Sequence, residues 1–324
     1  MRLRLFFALA LCVLLLPSCA PKIKIFAAPT TEPLKEFVVE GTGEGKLALI
    51  HLQGMLVSQP KEGLLRPTPS QVQELVSALR LAEEDEAVKG VVLAVDSPGG
   101  TVTASDILYH EITAFKQRTG KKVVVVMFDV AASGGYYASL PADWIVAHPT
   151  TITGSVGVIF MRPKLSGLMG KIGVDVEVSK SGRDKDMGSP FRPTTPEETA
   201  LFQDIIDDYA TRFVNLVQQH RKLSSANLEL VGTARVFTAN QALKVGLIDQ
   251  IGYIQDGFAK ARQLAGLPKD SQVVAYRRDT YPDDNPYNPM TSADPEKMNL
   301  LGVDADMLLP PKAGFYYIWQ GAAR

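Results

Sequence analysis

The chain has 324 residues, with 34 lysines and arginines against 35 aspartates and glutamates, a formal charge of −1. That length supports one large core or two modest ones. So even a balance argues against a nucleic-acid footprint and against an acidic interaction tail.

The first segment, MRLRLFFALALCVLLLPSC, carries Arg2 and Arg4 before an apolar run from Leu5 to Leu16. A run of about 12 residues suits a secretory signal, since a spanning helix needs roughly 20. Leu16, Ser18 and Cys19 resemble a bacterial lipobox, with Pro17 less usual at its position. Cleavage before Cys19 removes Cys12 and leaves one thiol, so no internal disulfide is expected and Cys19 is the expected lipid-bearing residue. Several acyl chains would anchor the protein stably. The expected location is therefore the cell envelope, lipid-anchored and facing the periplasm, with Ala20 matching an outer-membrane sorting pattern.

Residues 19–45 read as a tether, with prolines and glycines and no steady period. From Lys46, LALIHLQGMLV reads as a strand, and Thr68-Pro69-Ser70-Gln71 as the start of a helix capped by Thr68. Val72, Leu75, Val76 and Leu79 supply its apolar face. GVVLAVD (90–96) is a continuous apolar strand ending in SPGG. A helical stripe follows at Ala104, Ile107, Leu108, Ile112 and Phe115, and then the strand KKVVVVMF (121–128). DWIVAHP and SVGVIF continue the sheet pattern. Thr195, Pro196 and Glu198 open a long helix with a capping box. This alternation predicts parallel crossovers with both faces covered, and chemistry in the loops at the carboxyl ends of the strands. The main unit spans 46–267, in a single copy. Residues 268–324 form an extension read as partly irregular, because RRDTYPDDNPYNPMTSADPEK is rich in Pro, Asp and Asn. Its apolar end, MLLPPKAGFYYIWQ, is expected to dock on its own domain or on a neighbour.

Two of those loops carry candidate chemistry. In AASGGYYAS (131–139), Ser133 is followed by Gly134, whose N–H is free of side-chain crowding. Ser97 in DSPGG is followed by Pro98, which has no N–H to offer an oxyanion. Ser133 is thus the candidate nucleophile, with Gly99 and Gly100 bringing a second donor to the hole. None of the four histidines, His51, His110, His148 and His220, sits in a loop suited to a triad base. A lysine serves instead if desolvation or nearby positive charge keeps its amine neutral. Lys164, Lys171, Lys180 and Lys185 are the candidates. In an extended segment Lys185 would share a face with Arg183, while Asp184 and Asp186 face away.

Together DSPGG (96–100), AASGGYYAS (131–139), TGSVGVI (153–159), SGRDKDMGSP (181–190) and RVFTANQALKVGLID (235–249) resemble the signal peptide peptidase A family, serine peptidases of the ClpP/crotonase superfamily. The resemblance covers roughly residues 46–265. It implies an α/β fold, a ClpP/crotonase-like repeated ββα spiral with helices covering mostly parallel sheets. It also implies a Ser133 nucleophile, a Lys185 general base, an auxiliary Ser155 that orients the lysine, and an oxyanion hole at Gly134, Gly99 and Gly100. No metal or other cofactor is implied. Because the family's tandem form draws serine and lysine from two halves, a single copy implies a homo-oligomeric ring with the dyad shared between subunits. The expected substrates are cleaved signal peptides or other extended or unfolded extracytoplasmic segments. Two further readings were weighed: a non-catalytic ring scaffold lipoprotein, and a crotonase-type acyl-thioester enzyme, which a secreted protein could supply with little coenzyme A. The lipobox in place of a transmembrane anchor and the proline-rich tail depart from the family pattern.

Overall fold

The apolar runs read as buried strands are strands, and each divides its side chains between two cores. The computed structural model describes residues 32–60, 68–291 and 313–322, so the signal segment with Cys12 and Cys19 lies outside the described residues. The central sheet contains β1 (Lys35–Glu40), β2 (Gly43–Gln53), β3 (Val88–Ser97), β5 (Lys122–Ala132) and β6 (Trp144–Ala147). It also holds β7 (Ile152–Gly154), β9 (Val236–Thr238), β10 (Gln250–Ile251) and β11 (Ser271–Arg277). The order is β1-β11-β2-β3-β5-β6-β10, with β7 pairing both β5 and β9. The pairs from β11 through β10, and β5 with β7, are parallel. A second, three-stranded sheet holds β4 (Gly99–Thr101), β8 (Ile159–Met161) and β12 (Gly314–Ile318).

Period-two alternation explains the unbroken valines of β5, because a central strand needs apolar side chains on both faces. Val123, Val125 and Met127 enter one core with Leu75 and Leu79 of α1 (Gln71–Glu84) and Leu108, Ile112 and Phe115 of α2 (Val102–Thr119). Val124 and Val126 enter the other, against Phe258 and Ala261 of α8 (Ile254–Ala265). Between these covers run α3 (Gly134–Ser139), α4 (Ser166–Ile172), α5 (Pro196–Arg221), α6 (Ser225–Gly232) and α7 (Ala239–Val245). The mixed α/β expectation holds, with a mainly parallel sheet between helices.

Several local expectations change. The cap of α1 is Ser70, whose Oγ accepts from the Gln73 N–H at 3.2 Å, so Thr68 and Pro69 lie in the approach and the first turn begins at Gln71. The stretch read as a tether supplies β1, an antiparallel edge strand, from residue 35 onward. Its partner β11, from the segment read as the extension, inserts between β1 and β2 in the main sheet. That pairing joins residues more than 200 positions apart, which no local pattern announces. The Pro/Asp/Asn-rich stretch is also fastened as far as Thr291. Arg277, 1% exposed, donates to Asp284 at 2.6 Å and to the Met290 carbonyl, and the Arg278 N–H meets the Thr291 carbonyl at 2.6 Å. A buried guanidinium must find such acceptors, and these carboxylates and carbonyls order the loop around it.

The capping box of α5 is present as expected, with Thr195 Oγ1 accepting from the Glu198 N–H at 3.2 Å. Glu198 is nearly buried and also holds Arg192, so the cap ties the helix to the segment before it. Thr195→Ala should lower folding stability by about 1 kcal/mol while Thr195→Ser stays near the parent, measured by denaturant melts.

Candidate active site

The site is built where β5 and β7 end side by side. Up to Val95↔Met127 the β3–β5 register is regular, and then Ser97 pairs with Ala131. Two residues of β3 thus face four of β5, a bulge that bends β5. Asp96 holds it, its Oδ1 accepting from the Val130 N–H at 3.1 Å. Beyond the bulge Ala132 pairs with Gly154, so Ser133 and Ser155 are the next residues of two adjacent parallel strands. Both carry left-handed backbones, φ 52 in each. Such φ values cost a non-glycine residue about 1–3 kcal/mol and persist only where the surroundings impose them. Here the Ser133 N–H donates to the Gly154 carbonyl and the Ser155 N–H to the Arg235 carbonyl, each at 2.8 Å.

That turn buries Ser133, and its Oγ has no hydrogen-bond partner. After it, α3 is anchored from both sides. The Tyr136 hydroxyl donates to the Leu247 carbonyl at 2.7 Å, and that of Tyr137 to Asp106 at 2.7 Å, with Arg212 Nε donating to the same hydroxyl. Burial, then the bond to Asp106, pushes the Tyr137 hydroxyl well above its ordinary pKa, so it remains a donor. This Tyr137–Asp106–Arg212 cluster was not foreseen from sequence, because its members come from three separate helices.

The SPGG loop closes on the same point. A Cβ on Gly134 would meet Ser105 Oγ at 2.3 Å and the Gly100 nitrogen at 3.1 Å, so only glycine fits there. Gly99 has φ +102, and a Cβ there would lie 2.7 Å from the Gly134 nitrogen. The three glycine backbones therefore meet. The N–H of Gly99, however, donates to Ser97 Oγ at 3.1 Å, while Ser97 Oγ donates to the Gly54 carbonyl at 2.7 Å. Ser97, set aside as a nucleophile, ties the loop to the end of β2.

None of the histidines reaches Ser133. His220 pairs with the Tyr109 hydroxyl at 2.9 Å, His148 with Thr150 at 2.8 Å, and His110 is exposed. His51 has a buried Nε2 without a partner. Burial first, and the Arg277 charge second, outweigh a hydrogen bond to the Pro286 backbone and lower its pKa to about 4.

Nor does the single chain bring a lysine to the serine. Lys185 lies in a run of turns, its N–H bonded to the Gly182 carbonyl at 3.2 Å, so the extended geometry expected for it is absent. Its side chain is exposed, and the neighbouring carboxylates are taken: Asp184 by Arg183, Asp186 by Lys180 and Arg192. Lys164 Nζ is held by the Ser189 and Arg192 carbonyls.

A buried serine on a strained turn, beside glycine backbones that meet at the end of an α/β sheet, fits a serine hydrolase of the acyl-transfer type. The model of peptidase family S49 matches residues 115–268, which contain Ser133, Ser155 and Lys185. A protease of Methanocaldococcus jannaschii is 37% identical over 215 residues, 66% of this chain and 68% of that protein. The signal peptide peptidase SppA of Enterococcus faecium is 34% identical over 257 residues, 79% of this chain and 74% of the relative. Protease 4 of Haemophilus influenzae is 33% identical over 240 residues, 74% of this chain but 38% of the longer relative. The chain belongs to the S49, or signal peptide peptidase A, family, a ClpP-like clan, and is a serine peptidase.

Unfolding returns His51 to its ordinary pKa of 6.5, so between about 6.5 and about 4 the unfolded chain binds the extra proton. Stability should therefore fall as pH drops through that window and level off below it. Melting temperatures of His51→Gln taken across the same range should show a shallower slope than the parent; equal slopes would rule out this contribution.

Proposed function

We propose that this peptidase uses a serine–lysine dyad in which Ser133 is the nucleophile and Lys185 of a second copy of the chain is the base. The carrying observation is the buried, unpartnered Ser133 Oγ, with the lysine displayed elsewhere on an exposed segment. That segment is apolar for one so exposed. Leu168, Ile172, Val174, Val176, Val178 and Phe191 all face solvent. Val174-Asp175-Val176-Glu177-Val178 alternates as a strand does, yet pairs with no strand among the described residues. Such a surface favours burial against another copy, which would also desolvate the lysine.

In the reaction the Lys185 amine takes the Ser133 proton as Oγ bonds to the carbonyl carbon of a peptide. The N–H of Gly134 stabilises the oxyanion, since that of Gly99 is committed to Ser97 and Gly100 pairs with Tyr317 of β12. Ser155, beside the nucleophile, orients the lysine. The resulting ammonium then protonates the leaving nitrogen as the C–N bond breaks, and water, giving its proton to the freed amine, releases the acyl group from Ser133. Cleaved signal peptides and other extended extracytoplasmic segments are the substrates, consistent with the name of the Enterococcus relative. The protein is held at the envelope through a lipid on Cys19.

Ser133→Ala and Lys185→Ala should each cut denatured casein about a thousandfold more slowly than the parent. Mixed after subunit exchange, the two inactive variants should regain a fraction of activity; no recovery in confirmed mixed oligomers would place serine and lysine in one subunit. Mass spectrometry of the mature N-terminus should find a diacylglycerol-bearing Cys19, and an unmodified terminus would remove the anchor from this reading.

A further inference from the structure

The candidate oxyanion donor is aimed by a backbone group that stands outside the reacting centre. The Tyr137 N–H donates to the Ser133 carbonyl at 2.8 Å. That carbonyl and the Gly134 N–H belong to one peptide plane, and no peptide bond among the described residues is cis. In a trans peptide the two groups point in opposite directions. Pinning the carbonyl on Tyr137 therefore directs the Gly134 N–H, and a shift of Tyr137 swings that N–H with it.

Two other helices, α2 and α5, fix Tyr137. Its hydroxyl donates to Asp106 Oδ1 at 2.7 Å, and Arg212 Nε donates to that hydroxyl at 3.1 Å. Arg212 Nη2 donates to the same Oδ1 at 2.6 Å. The three groups close a triangle, so no member can turn without breaking two bonds. The Tyr137 ring is fully buried, with Phe213 edge-on at 4.9 Å and Tyr109 at 5.5 Å. The Arg212 and Asp106 side chains are 53% and 39% exposed, and an ion pair at such exposure adds little stability. The hydroxyl they hold is the better account of their placement. α2 also grips the turn a second time, because Ser105, next to Asp106, has its Oγ where a Gly134 Cβ would stand. The same helix starts at the SPGG loop, with Thr101 Oγ1 accepting from the Ala104 N–H at 3.3 Å.

We propose that Asp106 is a positioning residue for the peptidase reaction: through Tyr137, and together with Arg212, it sets the angle at which the Gly134 N–H meets the oxyanion. The proposal rests on Ser133 being the nucleophile and Gly134 the donor. Its effect falls on charge that develops only as the carbonyl carbon becomes tetrahedral, so the bound ground state depends on it little. Loss of Asp106 therefore lowers kcat and leaves KM near the parent value. A purely structural role would instead lower the melting temperature and leave the turnover of the folded enzyme as it was.

The test uses the full chain and fluorescein-labelled denatured casein, with rates expressed per folded enzyme. Asp106→Ala should lower kcat about tenfold, with KM within about twofold of the parent. Asp106→Asn, which keeps an oxygen for the Tyr137 hydroxyl, should recover most of that loss. Tyr137→Phe keeps the buried ring, drops the hydroxyl, and should match Asp106→Ala. The double variant Tyr137→Phe/Asp106→Ala should be no slower than either single one, since both cut the same link. Should Asp106→Ala melt below the assay temperature, the contrast between Tyr137→Phe and Asp106→Asn decides alone. A folded Asp106→Ala or Tyr137→Phe with the parent's kcat, a loss confined to KM, or losses that multiply in the double variant would overturn the proposal. Ser133→Ala separates the two levels. If it still cuts, the nucleophile assignment fails; if it is inactive while Asp106→Ala turns over at the parent's rate, only the positioning role fails.

Discussion

The hydrogen bond from the Ser133 N–H to the Gly154 carbonyl, 2.8 Å long, governs the geometry of the rest of the site. It joins the ends of two parallel strands at a point where the chain must turn into a helix. With that N–H committed, Ser133 adopts φ 52, and the turn places Oγ in a buried position with no partner. The same junction sets Ser155 beside it and lays the Gly134 nitrogen against Gly99. Strain at two serines is sustained because the bulge of β5, held by Asp96, and the anchored tyrosines of α3 leave no other path. A packed sheet on both faces resists relaxation there, since Val123, Val124, Val125 and Val126 of β5 are each locked into one of two cores.

Among the described residues no lysine bonds the Ser133 Oγ. This follows from topology. The lysine-bearing segment leaves the sheet after β8 and returns only at α5, so its own cores cannot draw Lys185 inward. Its carboxylates are consumed by neighbouring cations, and its valines alternate without a strand to receive them. Burying that surface in an assembly would join two needs, covering apolar area and desolvating an amine. Occupation of the β4 edge by β12 adds a second constraint, for the surroundings of Ser133 then depend on a segment distant from it in sequence.

Much of this was legible in advance where the signals are local. Continuous valines predicted a strand buried on both faces, Thr195-Pro196 with Glu198 predicted a helix start, and a serine followed by two glycines at a strand end pointed to the tight turn at Ser133. Ser97 was excluded on the missing N–H of Pro98, and its actual work, holding Gly99, depends on Gly54 from another strand. The cap at Ser70 differed by two residues because the choice turned on which hydroxyl faced the orphan N–H. The loop around Arg277 read as irregular because its order comes from a buried guanidinium, not from periodicity.

Composition, periodicity and motif spacing therefore establish the fold class and the parallel strand ends, because each is encoded within a few residues of itself. Folding in three dimensions settles which N–H groups remain free, where Lys185 is displayed, and that the terminal strand lies along the SPGG loop. Those outcomes require pairing between residues up to more than 200 positions apart, with hydrogen-bond partners shared among several strands. No local pattern carries that information, since the competition for each backbone group is resolved only when the strands meet.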